Sequence, residues 1–219
     1  MTVLDTSVPH YPVLMTLGAH EHAPEVILAP GYEFVLWDDR YREPWVRLHV
    51  TLGQLPSVGE GLDYFDRTYG SDPETLRRQM LLVCDEQGRL AGTSSVWRGD
   101  HFGEPRLRVH WVGVSPDHQR KGLAKALMLK TIALYDELLP RCEAGELPYR
   151  AAPLYLTTQT ESYIAIGMYL RLGFEPYRGP RPAHFGDAGS DFERDNERAW
   201  EIVERKLAAT FPGALPGRR

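Results

Sequence analysis

The sequence is poor in the residues and runs that mark several classes of protein. Its 219 residues include two cysteines, Cys84 and Cys142, which are too few for a disulfide framework or a four-cysteine zinc site. It has no run of about 20 apolar residues and no amino-terminal export signal, so we expect a cytoplasmic protein without a membrane partner. The formal charge of −5 argues against a nucleic-acid partner.

The familiar nucleotide-binding and metal-binding patterns are also missing. The chain has neither the G-x-x-x-x-G-K-[ST] phosphate loop nor the G-x-G-x-x-G dinucleotide fingerprint, which removes the usual signatures of nucleotide hydrolysis and hydride transfer. His10 and the run His20-Glu21-His22 contain metal-ligand residue types, but no fourth ligand follows at a suitable spacing. We therefore predict no metal site.

What is present is an alternation of strand and helix patterns. Strands are predicted at 11–17, 32–37 and 153–158, a β-hairpin at 80–99, and a strand at 106–114. Helices are predicted at 43–53, 61–69, after Asp72, at 122–139 before Pro140, at 162–172 before Gly173, and at 191–209. A hairpin followed by strand, helix, strand and helix predicts an α/β fold whose mixed sheet has helices on both faces.

The stretch "PDHQRKGLAKAL", residues 116–127, places two cations and a glycine where a strand turns into a helix. The first amides of a helix have no intrahelical partner, and the helix dipole makes that end positive, so the turn favours an anion such as phosphate. The residues that would line this anion site are Gln119, Arg120, Lys121, Gly122, Leu123 and Ala124. A bulky side chain at 122 or 124 would separate the backbone from the anion.

The same turn resembles the acyl-CoA signature of the GCN5-related N-acetyltransferases (GNAT). Its Q-x-x-G-x-A is one form of the family's [QR]-x-x-G-x-[GA], and "WVGVSPDHQRKGLA" has the family's strand-to-helix frame. A second block, "SYIAIGMYLRLGF", matches the family at Ser162, Ala165, Tyr169, Gly173 and Phe174, with Ser162 in the place of the more usual Asn. The two blocks and the strands between them span about residues 80–177.

The resemblance implies a fold of the acyl-CoA N-acyltransferase type, which is a mixed, mostly antiparallel twisted sheet flanked by helices. The chain is expected to be a single domain, 1–219. Residues 1–79 would supply the opening strands and the helices on the acceptor side, 80–177 the acetyl-CoA-binding core, and 178–219 a loop and a last helix. Residues 31–37 would form the family's first strand, and 11–17 an additional one.

The resemblance also implies the roles of individual residues. Acetyl-CoA would be the co-substrate, with its pyrophosphate on the amides of 119–124 and with charge added by Arg120, Lys121 and Lys125. Its pantetheine arm would pair with the backbone of Val112 and Val114, which a bulge in the family's fourth strand exposes. Ser162 would contact the coenzyme. Tyr169 matches the tyrosine that serves as proton donor to the leaving thiolate.

The general base does not follow from the resemblance, because many relatives have a glutamate where this chain has Arg108. Strand alternation would place Arg108, His110, Val112 and Val114 on one face, which makes His110 the titratable group nearest the expected acetyl position. Trp97 and Trp111 belong to strands that would flank the cleft and shape an acceptor pocket.

These patterns together predict an N-acetyltransferase that modifies an amine of a small molecule or peptide by direct attack. Two other functions stay open: an acyl-CoA sensor without turnover, and an O- or S-acyltransferase. Each residue also has a structural alternative, since Tyr169 and His110 could be core residues and Arg120 and Lys121 an ordinary solvated first turn. Association into a homodimer is left open.

Overall fold

The computed structural model describes residues 4–21, 25–187 and 189–212, and within these ranges the chain forms seven strands and six α-helices. The strands are β1 (Pro12–Leu17), β2 (Tyr32–Val35), β3 (Met80–Asp85), β4 (Leu90–Gly99), β5 (Arg106–Val114), β6 (Arg150–Gln159) and β7 (Phe174–Pro176). The helices are α1 (Arg42–Thr51), α2 (Val58–Tyr69), α3 (Pro73–Gln79), α4 (Leu123–Glu143), α5 (Tyr163–Arg171) and α6 (Phe192–Thr210).

The strands belong to one mixed sheet in the order β2-β3-β4-β5-β6-β1-β7, which confirms the predicted fold class. The additional strand β1 lies between β6 and β7 and is antiparallel to both, with Pro12 opposite Gln159 and Leu17 opposite Phe174. At the other edge, β2 and β3 are antiparallel, with Tyr32 opposite Asp85. Most of these pairings join segments far apart in the sequence, so their order follows from tertiary packing.

The chain divides into two compact units. The described residues of the first are 25–97 and 109–140, and those of the second are 4–21, 98–108, 141–187 and 189–212. The prediction of a single domain is not tested by this division and stays a prediction. Each unit has a core of its own.

The first unit has an aromatic core on one face of its strands. Trp45 of α1, which is completely buried, contacts the rings of Phe65 and Tyr69 of α2 at centroid distances of 5.1 and 5.8 Å. On the α4 side, Leu123 and Leu127 pack with Val114 of β5 in a separate aliphatic cluster. Amphipathic helices thus bury their apolar faces against the strands, as the sequence periodicity predicts.

The core of the second unit is centred on Tyr155 of β6, which is completely buried together with Leu14 of β1. Its ring makes edge contacts with His101 and Phe102, and its hydroxyl is 3.0 Å from His101 Nδ1. Burial raises the pKa of Tyr155 to about 12, so the phenol stays protonated. Its polar atom is therefore a hydrogen-bonding group of the core.

Helix α4 and strand β7 differ from the sequence prediction. Helix α4 continues through Pro140 to Glu143, although a proline was expected to end it. A proline removes its own amide from the helical ladder and crowds the carbonyl four residues earlier. The buried Cys142 nevertheless continues past it the apolar stripe of Tyr135 and Leu138. Strand β7 was not predicted, because three residues are too few for a periodic signal.

Candidate functional site

The turn between β5 and α4 has an unusual backbone. Gly122 has a φ of 78°, and Arg120, which is not a glycine, has a φ of 63°. Left-handed conformations of this kind cost an arginine free energy and turn successive amides toward one side, which makes a concave site for anions. Because α4 begins at Leu123, the unpaired first amides of that helix adjoin the same turn. These backbone conformations are compatible with the predicted anion site, which stays a prediction.

Side chains of the turn hold it against the strands. The Gln119 side-chain amide donates to the carbonyl oxygen of Val114 at 3.2 Å, and the Lys121 ammonium donates to the Tyr32 hydroxyl at 2.7 Å. His118 Nδ1 is 2.8 Å from the same hydroxyl. Arg120 and Lys125 are exposed, so these two carry positive charge at the surface of the turn. Leu123 would contribute only its amide to the predicted anion site, since its side chain is buried in the aliphatic cluster.

Strand β5 contains an irregularity at Trp111, whose φ is 51°. A residue in this conformation breaks the alternation of faces and acts as a bulge. As a result His110 and Trp111 both contact Tyr64 of α2, whereas Val114 packs against α4 on the other face. The prediction that His110 and Val114 share a face is therefore wrong, because simple alternation does not account for the bulge.

Both ring nitrogens of His110 are hydrogen-bonded to tyrosines of α2. Nε2 lies 3.2 Å from the Tyr64 hydroxyl, and Nδ1 lies 3.0 Å from the Tyr69 hydroxyl. The histidine is 7% exposed, and Ser95 of β4 donates to its carbonyl oxygen at 2.9 Å. His110 is thus a buried and oriented imidazole rather than an open base.

The two tryptophans predicted to shape an acceptor pocket occupy different environments. Trp97 is 3% exposed and packs edge-on against Tyr69 with ring centroids 4.8 Å apart, so it is a core residue of the first unit. Trp111 is half-buried, and its indole N–H donates to the Tyr64 hydroxyl at 2.9 Å. Of the pair, Trp111 has the surface that could meet a ligand.

A further buried histidine, His49 of α1, was not singled out from the sequence. It is completely buried between Trp45 and Trp111, and its Nδ1 lies 2.5 Å from Gln54 Oε1. A Cβ on Gly113 of β5 would come within 3.0 Å of its Cε1 atom, so the strand requires glycine there. The spacing of Trp45 and His49, four residues apart on a predicted helix, is the sequence signal that could have found it.

We expect His49 to make the stability of the protein depend on pH below neutrality. Burial lowers its pKa from 6.5 to about 4, so the unfolded chain binds the proton more readily than the folded one. The contribution of neutral His49 to the free energy of unfolding is therefore complete above pH 6.5. It is lost as the pH falls to about 4, which lowers the free energy of unfolding by about 3 kcal/mol. The measurement is the free energy of unfolding by denaturant at several pH values for the wild type and His49→Gln. Parallel curves for the two proteins would contradict this expectation.

The second unit holds the residues of the other motif. Tyr169 of α5 is 4% exposed, lies 6.0 Å from the ring of Phe174, and has a pKa raised by burial. Ala165 is buried one turn earlier on the same helix. Ser162 precedes α5 and is half-buried, and its side chain makes no capping hydrogen bond. A neutral phenol in a dry environment suits a proton donor.

The parts of the chain that the structure describes show neither a metal cluster nor a membrane-spanning helix. They contain no group of three or more His, Cys, Asp or Glu side chains that could hold a metal ion. His22, part of the histidine run noted in the sequence, lies outside those parts. No helix among them is both long enough and apolar enough to cross a membrane.

Comparison with known proteins gives a family match over much of the chain. The model of the "Acetyltransferase (GNAT) family" matches residues 45–174. A mycothiol acetyltransferase from Propionibacterium freudenreichii subsp. shermanii is 32% identical over 125 residues, which are 53% of this chain and 36% of that protein. The chain therefore spans about a third of this curated relative.

Solved structures show the same fold. A GCN5-related N-acetyltransferase from Sphaerobacter thermophilus has a TM-score of 0.56 and 19% identity, over 78% of this chain and 49% of that one. A tandem GNAT protein from the clavulanic acid biosynthesis pathway has a TM-score of 0.50 and 19% identity, over 80% of this chain and 52% of its own. Each of these structures is about twice as long as the part that aligns.

Proposed function

Because the chain belongs to the acetyltransferase (GNAT) family, we propose that it transfers an acetyl group from acetyl-CoA to an amine of a small molecule or peptide. The observation that carries the proposal is the turn from Gln119 to Ala124, where Arg120 and Gly122 have left-handed backbone conformations at the start of α4. Such strain at a motif that matches the family's acyl-CoA signature supports a binding role.

The residues of the turn fit the pyrophosphate of the coenzyme by their charge and backbone geometry. Amides at the start of α4 would bind it, and the exposed Arg120 and Lys125 would add charge. The Val114 carbonyl accepts the Gln119 side-chain amide at 3.2 Å, and the backbone of Val112 and Val114 would pair with the pantetheine arm. Acetyl-CoA supplies the acyl group as a thioester, and Ser162 would contact the coenzyme.

Transfer then requires the protein to donate one proton and to accept another. The neutral amine nitrogen forms a bond to the thioester carbonyl carbon, the carbon–sulfur bond breaks, and the sulfur takes the electron pair. In our proposal Tyr169 donates its proton to this thiolate, and its raised pKa keeps the phenol protonated until that moment. The amine loses one proton, for which His110 is the proposed acceptor. Proton exchange with solvent after product release restores both residues.

Thermal unfolding and a transfer assay test this proposal. Acetyl-CoA binds only the native protein, so at 100 times its dissociation constant it should stabilise the fold by about 2.7 kcal/mol and raise Tm. Release of the CoA thiol is then followed with a panel of amines, alcohols and thiols, with an acceptor-free reaction as control. Thiol release that depends on an amine is expected. Absence of stabilisation by acetyl-CoA would contradict the proposal, and stabilisation without transfer to any acceptor would favour the sensor function.

A further inference from the structure

Of the two tyrosines that hold the buried imidazole of His110, Tyr64 is the more exposed. Tyr69, on the Nδ1 side, is completely buried, whereas Tyr64, on the Nε2 side, is half-buried. An acceptor amine could touch a ring nitrogen only by displacing one of these phenols. A proton can therefore pass from an acceptor to His110 through Tyr64 without displacement of either phenol.

The hydrogen-bonding capacity of Tyr64 defines what else it can bind. A phenol has one proton and two acceptor lone pairs. Trp111 can only donate, so its N–H at 2.9 Å occupies one lone pair of the Tyr64 oxygen. In the tautomer with hydrogen on Nδ1, the Tyr64 proton goes to His110 Nε2 at 3.2 Å, and the Nδ1–H donates to Tyr69 at 3.0 Å. One lone pair of Tyr64 is then left for a donor outside this network, such as the N–H of an amine.

We propose that Tyr64 is a catalytic residue that contacts the acceptor amine and relays its proton to His110. As the amine nitrogen bonds to the acyl carbon, its proton moves to the Tyr64 oxygen, while the phenolic proton of Tyr64 moves to His110 Nε2. The charge that leaves the nitrogen therefore ends on the imidazolium, and Tyr64 is neutral before and after the step. This inference rests on the proposed acetyl transfer to an amine and adds the residue through which the base acts.

Trp111 and the bulge give the relay its geometry. The φ of 51° at Trp111 turns His110 and Trp111 toward the same helix, so that both contact one phenol. The ring of Tyr64 packs edge-on against the indole with centroids 5.2 Å apart, which limits its rotation. The titratable groups that face the imidazole include the phenols of Tyr64 and Tyr69, and β4 adds the Ser95 hydroxyl on the backbone carbonyl.

Tyr64→Phe tests the relay, because it removes the hydroxyl and keeps the ring that packs on Trp111. With saturating acetyl-CoA and the best amine of the panel, we expect kcat to fall roughly 10- to 100-fold, while KM for acetyl-CoA stays within about twofold. The fall of kcat at low pH that is due to protonation of His110 should also be absent in Tyr64→Phe. The fall that is due to protonation of the acceptor amine should be present in both proteins. A structural role for Tyr64 would lower stability without removing either fall.

Two further variants complete the design. Tyr41→Phe is the matched control, since Tyr41 belongs to the same aromatic cluster but its hydroxyl bonds to Cys84 and Arg40 outside the network, so kcat should not change. His110→Gln should lose the same fall of kcat at low pH as Tyr64→Phe. The double variant should be no slower than the slower single one, because both changes break one path. Thermal unfolding checks that each variant is folded.

The outcomes separate this inference from the function on which it rests. A wild type that transfers acetyl groups, together with a Tyr64→Phe variant that keeps kcat and both falls at low pH, would overturn the relay and leave the proposed function standing. Multiplicative losses in the double variant would also overturn it. A wild type without any transfer would overturn both, and the defect would then be visible before any substitution is made.

Discussion

Gly122→Glu is expected to weaken acetyl-CoA binding by about 100-fold or more, as measured by titration calorimetry. The residue has a φ of 78°, and an added Cβ would meet nothing within 4 Å, so the change strains the backbone without a steric clash. Left-handed backbone costs a residue with a side chain about 1–2 kcal/mol. The carboxylate adds negative charge where the coenzyme phosphates would bind, and it neutralises part of the positive charge at the start of α4.

Gly145→Glu is the matched control for this experiment. Gly145 has a φ of 72°, it also has nothing within 4 Å of an added Cβ, and it follows the other end of α4. The two variants therefore share the backbone strain and the added charge, but they are separated along the chain by a helix about 30 Å long. We expect a somewhat larger loss of stability in Gly145→Glu, whose carboxylate lies at the negative end of the α4 dipole, and a large loss of affinity only in Gly122→Glu. Equal affinities in the two variants would show that the turn does not bind the coenzyme.

Tyr169→Phe is expected to lower kcat by about 100-fold or more, with the affinity for acetyl-CoA nearly unchanged. The side chain is 4% exposed, so water cannot easily replace the missing proton donor, and the ring that packs near Phe174 is retained. General-acid catalysis typically contributes 10²- to 10⁴-fold to a rate. Because burial raises the pKa of Tyr169, wild-type kcat should not fall through ionisation of this residue below about pH 10.

The control for Tyr169→Phe is Tyr163→Phe on the same helix. Tyr163 is half-buried, and its ring lies 5.6 Å from the Lys206 ammonium. Steady-state kinetics should show a loss in the first variant only, and calorimetry should show acetyl-CoA binding in both. If Tyr169→Phe keeps the wild-type kcat, the tyrosine is a core residue, which is the structural alternative considered from the sequence.

The sequence alone was sufficient for the elements that have local signals. The strand at 106–114 was predicted with its observed bounds, and the turn at 116–127 and the helix before Gly173 lie where periodicity and turn residues placed them. These features depend on neighbouring residues: a polar turn, a 3.6-residue apolar repeat, and a glycine that takes a φ of 89° after α5. Family membership could be inferred for the same reason, since both motifs are contiguous.

The surroundings of the proposed base could not be predicted in this way. His110 was singled out from the sequence, but it was placed on the same face as Val114. The resemblance implies a bulge in this strand without fixing its position, and simple alternation does not locate it at Trp111. Tyr64 and Tyr69 were not linked to it, since 46 and 41 residues separate each of them from His110. His49 was missed because its burial depends on Trp111 and Gly113, which come from a distant strand.

The sequence by itself determined the class of fold, the family and the position of the turn that we propose to bind an anion, because each rests on contiguous residues whose backbone preferences and charges act locally. Only the tertiary structure decided the face on which His110 lies and the partners of its two nitrogens. Those depend on how α2 packs against a bulged strand, and such packing minimises the free energy of the whole core rather than that of any short segment.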